Sequence, residues 1–514
     1  MAATLGSTVL GFFREVVNAR FYGTQWQMDT FGAASTIPTI LFGVFNGALV
    51  SALVPAFSDY ISTDREDDAW TLGSTIVNAL AVLLTFFAVV GWLAAPMYVP
   101  LIAHGFHPAQ MAVAVDMTRA LTPSIVTVSL SGVLSAMLNA YHRFRATSLV
   151  GIAINTVTIG FVVALNHKLG IYALVYGTLW GLVAQLVVQM PAFLRIRRYR
   201  FIIDLRHPGL RKIWVLLAPI VIGSFAGQLA LGFDRFFASQ LPAGNIAGMG
   251  YVTKLVNFPQ QVFAAAIATV IFPLLAAHFA RDNRRGVASS AVTGLRLVLF
   301  IAIPSVCMLT VLAHPMVQTL FERGAFGTTA TELTSSLMPY AAIGLIALSA
   351  NVVLTRCCFA CQETAIPVAI SIITVIVNVL LSLLWLPSLG AHGLLLANSV
   401  SQSMQAAMLL ALLARLVRTF DWLALGRSAL RVTIASAAMF VALLWIHQLG
   451  GTPSDSLISR ASFLFGQIAI GGAVFLAVAR VIGVEELDLA WSAIKTKFER
   501  NLPSAPENQD APIG

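Results

Sequence analysis

The sequence predicts an all-α protein that crosses a membrane about fourteen times. Of its 514 residues, 58% are hydrophobic and only 10% are charged, and the mean hydropathy is +0.84. A soluble domain is about 25% charged, so this chain has too few polar side chains to cover a water-soluble surface. The composition therefore excludes a soluble globular protein and indicates a polytopic membrane protein.

Fourteen segments are long and apolar enough to span a bilayer, which takes about 20 residues per helix. In chain order they cover residues 2–22, 29–57, 70–103, 115–141, 147–167, 170–194, 212–239, 246–277, 287–320, 333–357, 365–387, 390–415, 424–449 and 457–483. Several contain proline, which membrane helices tolerate where neighbouring groups satisfy the freed carbonyl, and which marks kinks. Pro38, Pro123, Pro259 and Pro339 are such positions.

The basic residues of the loops predict the orientation. With the N-terminus in the cytoplasm, 21 of the 31 Lys and Arg residues fall in cytoplasmic segments and 3 in outer loops. Cytoplasmic loops of membrane proteins carry this excess of positive charge. Residues 104–110 and 322–330 are then outside, residues 195–212 are inside, and both termini are cytoplasmic. Orientation and anionic lipid headgroups explain the net charge of +9, so we expect no nucleic-acid partner.

The second half of the chain repeats the first. TPSIVTVSLSGVLSAMLNAY is matched six spans later by MPYAAIGLIALSANVVLTRC, and LGIYALVYGTLWGLVAQ by LGAHGLLLANSVSQSMQ, so Pro123 aligns with Pro339 and Gly170 with Gly390. Six is an even number, so both halves share one orientation and are related by a pseudo-twofold axis along the membrane normal. We predict an N-terminal six-helix lobe, a C-terminal six-helix lobe, two additional transmembrane helices and a cytoplasmic tail, over residues 1–205, 206–420, 421–490 and 491–514.

Charged residues inside the spans are candidates for a binding site, because each costs about 2.5–3.5 kcal/mol at the bilayer centre. Arg14 is the deepest basic residue of the first half, and Lys254 has that place in the second. Two interpretations are open: these groups line a cleft and bind an anion such as a diphosphate, or they reach an interface and form ion pairs. We favour the cleft for Arg14 and Lys254. We favour the second interpretation for residues near helix ends, namely Arg20, Asp116, Arg119 and Arg235.

No enzyme motif accompanies these charges. The sequence contains no GxxxxGK[ST], no HExxH and no GxSxG. Its four cysteines lack the second CxxC or the histidine pair of a metal site. We therefore expect neither catalysis nor an organic cofactor, and transport driven by an ion gradient, the membrane potential or the substrate's own gradient.

Six stretches resemble the MurJ/MviN family of lipid II flippases, within the multidrug/oligosaccharidyl-lipid/polysaccharide exporter superfamily: LGFFREVVNARFYGTQWQMDTF, SALVPAFSDY, DRFFAS, KLVNFPQQVFAAAIATVIFPLLA, GLRLVLFIAIPS and LFERGAF. The resemblance implies two six-helix lobes and two extra helices. It implies a transporter of the bacterial inner membrane that flips an undecaprenyl-pyrophosphate-linked peptidoglycan precursor to the outer leaflet by alternating access. Its implied partners are this lipid-linked anionic substrate, membrane lipids and the cell-wall synthesis machinery, with the chain acting as a monomer.

The resemblance also assigns substrate-binding residues. Arg14, followed by Glu15, matches the cleft arginine of the family's LGF-x-R-[DE] motif, and Asp29 matches the acidic residue of its T-D-A-F motif. Lys254 stands where the family often has arginine. Other cleft charges of the family are missing, at Thr8, Phe42, Gly43 and Asn257.

Some family members bind sodium between the seventh, eleventh and twelfth helices. The resemblance places such a site here at Asp234, Thr374, Asn378 and Ser399. Hard cations prefer oxygen ligands, which these side chains supply. Polar residues that pack helices together explain the last three equally well.

The sequence leaves three alternatives to a lipid II flippase open. The missing charges favour a flippase for another lipid-linked oligosaccharide. An ion-coupled drug or metabolite exporter of the same superfamily would normally have twelve spans without the additional pair. A membrane enzyme that uses undecaprenyl carriers would need a large outer loop with acidic residues, and the outer loops here are short.

Overall fold

The computed structural model describes residues 2–196, 199–204, 206–417, 419–449 and 456–489, and these contain helices and no strand. The helices of the first half are α1 (Ala2–Tyr22), α2 (Trp26–Ala34), α3 (Thr36–Ser62), α4 (Glu66–Ile102), α5 (Pro108–Leu121), α6 (Ser124–Ala140), α7 (Phe144–Ser148), α8 (Val150–Leu169) and α9 (Tyr172–Leu194). The others are α10 (Pro208–Ala238), α11 (Asn245–Pro259), α12 (Ala265–Ala280), α13 (Arg284–Val311), α14 (Ala313–Phe321), α15 (Thr328–Ala360), α16 (Ala365–Val417), α17 (Trp422–Leu449) and α18 (Leu457–Ile482). The all-α fold class is confirmed, and the predicted tail lies outside the described residues.

Ten helical stretches of the described residues are long and apolar enough to cross a membrane. One of them is α16, whose 53 residues hold two predicted spans because its backbone leaves the helical conformation at Gly390. The three predicted spans outside the ten are also helical, as α1, as α2 with α3, and as α10. The first of these carries three charged side chains, which lowers its apolar character.

Several predicted spans are interrupted. Residues 29–57 divide at Ser35 into α2 and α3, and residues 115–141 divide at Pro123 into α5 and α6. A short π-helical segment, Gln260–Ala264, follows Pro259 and joins α11 to α12. Proline lacks the N–H that continues a helix and collides with the preceding turn, which explains the two interruptions next to proline.

The internal repeat is visible in the backbone. Gly170 has φ 55° and ψ −135°, and its predicted counterpart Gly390 has φ 56° and ψ −130°. A Cβ atom blocks this region of backbone conformation, so glycine is required at both positions. Each glycine turns the chain between two consecutive apolar helices. The two halves therefore share this turn as well as their sequence pattern.

The chain groups into two compact units, and the six-helix boundaries drawn from the sequence stay a prediction. The first unit comprises Met1–Phe258, Ala313–Asn351 and Glu363–Leu409, and the second comprises the described residues of Pro259–Leu312, Val352–Gln362 and Leu410–Gly514. In the first unit, α1, α2, α5, α8 and α9 share one apolar core, and α3, α4, α6, α9 and α10 share another. Many large apolar side chains of α4 are exposed, as expected for a surface that contacts lipid.

A polar network joins three helices of the second unit. Arg296 of α13 pairs with Glu486, which follows α18, and donates to Glu485 at 2.7 Å. The Glu486 carboxylate also accepts from the Ser428 hydroxyl of α17 at 2.7 Å. Arg431 donates to the Gly483 carbonyl at 2.8 Å. The network attaches the additional helix pair α17–α18 to α13.

We expect Arg296→Ala to lower the free energy of unfolding by about 3 kcal/mol. The change leaves the Glu486 side chain, which is only 1% exposed, as a buried charge without its ion-pair partner. Arg480→Ala is the matched control: its pair with Asp488 is 77% and 82% exposed, so about 0–1 kcal/mol is expected. Thermal unfolding of the purified chain in detergent measures both. Equal loss in the two variants would contradict a structural role for the network.

Candidate functional site

A charged cluster lies on α1, in the segment LGFFRE and the helical turn that follows it. Arg14 donates from Nη2 to Glu15 Oε1 at 2.9 Å, and Asn18 Nδ2 donates to Glu15 Oε2 at 3.5 Å. Glu15 is buried, whereas the Arg14 side chain keeps 24% of its surface exposed. Guanidinium has five N–H donors, and among the described residues Arg14 uses one of them in a hydrogen bond. The other donors are available to a ligand.

Lys254 of α11 joins this cluster. Its ammonium is close enough to act electrostatically on the Glu15 carboxylate, and its side chain is exposed. The rings of Phe12 and Phe258 lie 6.1 Å apart and bring α1 and α11 together. Both predicted basic residues therefore act electrostatically on one carboxylate, which only Arg14 contacts directly, and the three side chains together carry a net charge of +1. The sequence indicated Arg14 and Lys254 but not that both would act on Glu15.

Asp29 binds the backbone at the start of another helix. Both of its carboxylate oxygens accept backbone hydrogen bonds, from Gly244 N and, at 2.7 Å, from Ala247 N. These amides lie at the start of α11, where the helix has no internal acceptors for its N–H groups. A carboxylate also interacts favourably with this end of the helix dipole. Asp29 therefore caps α11 from α2, and its direct contact with substrate stays a prediction.

The four positions that lack the family's cleft charges differ in their surroundings. A Cβ atom on Gly43 would lie 2.6 Å from the Gln228 amide, so α3 and α10 approach closely there. Asn257 and Thr8 are half-buried, and the side chain of Phe42 lies outside the described residues.

Two of the four predicted sodium ligands have buried atoms without a partner among the described residues. Oδ1 of Asp234 has no hydrogen-bond partner, and neither do Oδ1 and Nδ2 of Asn378. The other two are satisfied: Thr374 donates to the Ile370 carbonyl at 2.9 Å, and Ser399 donates to the Tyr340 carbonyl at 2.7 Å. No hydrogen bond in the described chain joins Asp234 to Asn378.

The first half has no equivalent of this unsatisfied amide. Thr158 stands as far before Gly170 as Asn378 stands before Gly390. Its hydroxyl bonds to the carbonyls of Ile154 at 2.8 Å and Gly177 at 3.1 Å. The second half therefore replaces a satisfied helix contact with a buried amide that has no partner in the part of the chain that the structure describes. A buried polar group in that condition costs about 1–3 kcal/mol and indicates a missing ligand or water.

The sequence model of the family described as lipid II flippase MurJ matches residues 18–453. The chain belongs to the MurJ family. It is 30% identical to the probable lipid II flippase MurJ of Vibrio cholerae over 95% of this chain and 96% of that protein. It is 31% identical to the lipid II flippase MurJ of Burkholderia cenocepacia over 79% of this chain and 81% of that protein.

Solved structures confirm the predicted fold for this member of the MurJ family. A lipid II flippase MurJ in an inward closed conformation aligns with a TM-score of 0.80 at 22% identity, covering 93% of this chain and 97% of that one. A multidrug resistance MATE family transporter of the MOP superfamily, in its inward-facing conformation, aligns with a TM-score of 0.68 at 13% identity, covering 82% and 99%. The family model and the relatives confirm the predicted family, and the chain is a multi-pass protein of the bacterial inner membrane, from a family of transporters.

We expect Asp29→Ala to lower the free energy of unfolding by about 2 kcal/mol, because two backbone amides at the start of α11 lose their acceptor. Asp29→Asn keeps one side-chain oxygen as an acceptor and should cost about half as much. Thermal unfolding ranks the two variants. If Asp29 only caps α11, Asp29→Asn should still support flipping; full loss of flipping with unchanged melting would instead support the predicted contact with substrate.

Proposed function

We propose that this chain flips lipid II from the inner to the outer leaflet by alternating access. The observation that carries the proposal is that Arg14 and Lys254, from the two halves of the repeat, both act electrostatically on the buried Glu15 carboxylate, which Arg14 also contacts. Support also comes from the relatives, which are named lipid II flippases or probable lipid II flippases over nearly the full chain.

The chemistry of the cluster suits a lipid-linked pyrophosphate. Two basic groups and one carboxylate leave an excess positive charge that an anion can neutralise. Hydrogen bonds between charged groups are shorter and about twice as strong as neutral ones, and guanidinium can bind two phosphate oxygens at once. Lysine adds a compact charge without that planar fork. Arg14 would therefore orient the pyrophosphate, while Lys254 would contribute mainly attraction.

The orientation and the partners belong to the same proposal. Cytoplasmic termini are supported by the 21 to 3 distribution of basic residues between cytoplasmic segments and outer loops. A monomer is supported by the presence of both repeats in one chain. Cell-wall synthesis enzymes are the expected partners, since they make and consume this substrate.

A second candidate is a flippase for another lipid-linked oligosaccharide. It is favoured by the missing family charges at Thr8, Phe42, Gly43 and Asn257. An ion-coupled drug or metabolite exporter has less support, because the similarity to multidrug transporters is 13% in sequence and concerns the fold alone.

We expect Arg14→Ala to reduce lipid II flipping by about 10- to 100-fold, since a hydrogen bond to a charged group contributes about 1.5–3 kcal/mol. Arg14→Lys should retain part of the activity, Lys254→Arg should be tolerated, and Lys254→Ala should be impaired. Arg119→Ala is the control, because Arg119 is a half-buried residue near a helix end that lies over the Trp92 ring and donates to the Trp92 carbonyl.

Two measurements decide this prediction. One is rescue of a bacterial strain depleted of its own lipid II flippase, with expression checked in the membrane. The other is flipping of labelled lipid II in vesicles that contain the purified chain. Wild-type flipping by Arg14→Ala would refute the cleft assignment. Rescue failure by the wild-type chain, with flipping of a different lipid-linked sugar, would favour the second candidate.

We also propose that sodium binds at Asp234 and Asn378. The unpartnered oxygens of both side chains fit a hard cation, which prefers oxygen ligands. Thr374 lies one turn before Asn378 and would add its hydroxyl oxygen, whose lone pairs still allow contact with a cation while its proton bonds to Ile370. Ser399 would add a fourth oxygen in the same way. A bound cation would neutralise the Asp234 carboxylate and couple its gradient to transport.

Sodium should raise the thermal stability of the wild-type chain, because a ligand that binds only the folded state stabilises it by about 2.7 kcal/mol at 100 times its Kd. Asp234→Asn should remove this response and lower flipping, while Asp116→Asn should keep both. Melting curves in sodium and in choline salts measure the effect. A wild-type chain that melts identically in the two salts would exclude the site.

A further inference from the structure

Two arginines from opposite halves of the repeat come close together at one end of the helices. Arg20 is in the last turn of α1, and Arg323 is in the loop between α14 and α15. The Ala325 amide donates to the Arg20 carbonyl at 2.8 Å, and a Cβ atom on Gly324 would lie 3.2 Å from Arg20 Cγ. The loop therefore packs against the stem of the Arg20 side chain, and both arginines belong to the first compact unit.

This end of the helices lies beyond the cleft cluster. The distribution of basic residues among the loops predicts that it faces the outside. Arg20 follows Arg14 by six residues on α1, which corresponds to about 9 Å along the helix axis. A ligand that leaves Arg14 and Lys254 toward the outside therefore reaches the level of Arg20.

The chain itself fixes the guanidinium of Arg323. Its Nη2 donates to the carbonyl oxygens of Thr319 and Leu320, both at 2.8 Å, in the last turn of α14. Carbonyls at this end have no partner within their helix, and a cation there also interacts favourably with the helix dipole. A guanidinium has five N–H donors. No described residue accepts from Nη1 or Nε of Arg323, or from the side chain of Arg20, so these donors can bind a ligand.

No acidic side chain among the described residues compensates this pair of charges. Neither arginine forms an ion pair with a carboxylate there, and Glu322 accepts from the Thr331 hydroxyl at 2.8 Å instead. Burial and the charge of Arg20 lower the pKa of Arg323 in its loop. The two positive charges therefore repel each other, and an anion that neutralises them would stabilise both.

The repeat counterpart of Arg20 has different surroundings. The segment ARFYG of α1 is matched by DRFFA of α10, so Arg235 is the counterpart. Its Nη1 donates to the Ile246 carbonyl at 3.2 Å, and the carboxylates of Asp234 and Asp29 are close enough to act on its charge. The second half thus compensates its arginine with two carboxylates, whereas the first half leaves Arg20 beside another cation.

We propose that Arg20 and Arg323 form a second binding site for pyrophosphate, on the outer side of the cleft cluster. The proposal rests on the proposed flipping of a lipid-linked pyrophosphate, which presents the same group to both sites in turn. Each guanidinium can bind two phosphate oxygens, through hydrogen bonds about twice as strong as neutral ones. The cleft cluster has a net charge of +1 and the outer pair has +2, so the attraction for the anion increases toward the outside.

Site-resolved chemical protection tests the proposal. Phenylglyoxal modifies accessible guanidinium groups, and mass spectrometry of the purified chain in detergent measures the modified fraction at each arginine. We expect inorganic pyrophosphate, at constant ionic strength, to slow the modification of Arg20 and Arg323 several-fold. Arg480 is the internal control, because its side chain is 77% exposed and its pair with Asp488 is equally open to solvent. Unprotected Arg20 and Arg323 would overturn the site.

Variants distinguish a shared site from general attraction. Arg323→Ala should abolish the protection of Arg20, and Arg323→Lys should retain part of it, because the charge remains without the planar fork. Lys168→Ala is the matched control: it removes one positive charge from an exposed residue in the last turn of α8 and should leave protection unchanged. Full protection of Arg20 in a folded Arg323→Ala chain would contradict the shared site.

Vesicles identify the source of the bound phosphate. The chain is placed in phosphatidylcholine vesicles that contain either undecaprenyl pyrophosphate or phosphatidylglycerol, and we expect only the pyrophosphate lipid to protect Arg20 and Arg323. Equal protection by phosphatidylglycerol would assign the pair to phospholipid headgroups and overturn the substrate site. Protection needs no flipping, so a wild-type chain that is protected but fails to flip lipid II would refute the proposed function and leave the pyrophosphate site intact.

Discussion

The free-energy cost of placing a polar group in an apolar environment governs how the helices of this protein are arranged. A charge at the bilayer centre must be paired, hydrated or bound to a ligand. Three buried carboxylates are satisfied by the chain itself: Glu15 by Arg14 and Asn18, Asp29 by two backbone amides, and Glu486 by Arg296 and Ser428. Each of them fixes one helix against another or orients a basic side chain. Asp234 and Asn378 keep unsatisfied atoms among the described residues, and these are the positions at which a ligand has most to contribute.

Much of this could be predicted from the sequence, because the bilayer imposes length and composition on each helix. The apolar segments predicted the helices. The repeated motif predicted that Gly170 and Gly390 are equivalent, and both glycines turn the chain in the same way. The residue types of Arg14 and Lys254 indicated the cleft, since charge at membrane depth is rare. The interruption at Ser35 had no such signal: nothing in its neighbourhood distinguishes it from the other small polar residues of the spans.

Contacts between distant segments could not be predicted in this way. Asp29 accepts a hydrogen bond from the Gly244 amide, 215 residues further on, so its partners appear only when the chain is folded. Arg296 is a charge inside a predicted span, and Glu485 and Glu486 neutralise it from the segment after α18. In both cases the sequence identifies a charge that is costly to bury. Only the folded structure shows which groups compensate that charge.

The helix α11 links the Asp29 cap at its start to the charged cluster of Arg14, Glu15 and Lys254. Its first turn is held by the Asp29 carboxylate and, one turn later, by the Tyr251 hydroxyl on Gly23, while Lys254 follows about one turn beyond Tyr251. A helix transmits displacement along its axis because its backbone hydrogen bonds keep it stiff. Movement of the start of α11 would therefore move Lys254 relative to Arg14 on α1. An anion held by both residues would in turn resist that movement, so the substrate charge acts on the same helix that Asp29 and Tyr251 hold in place.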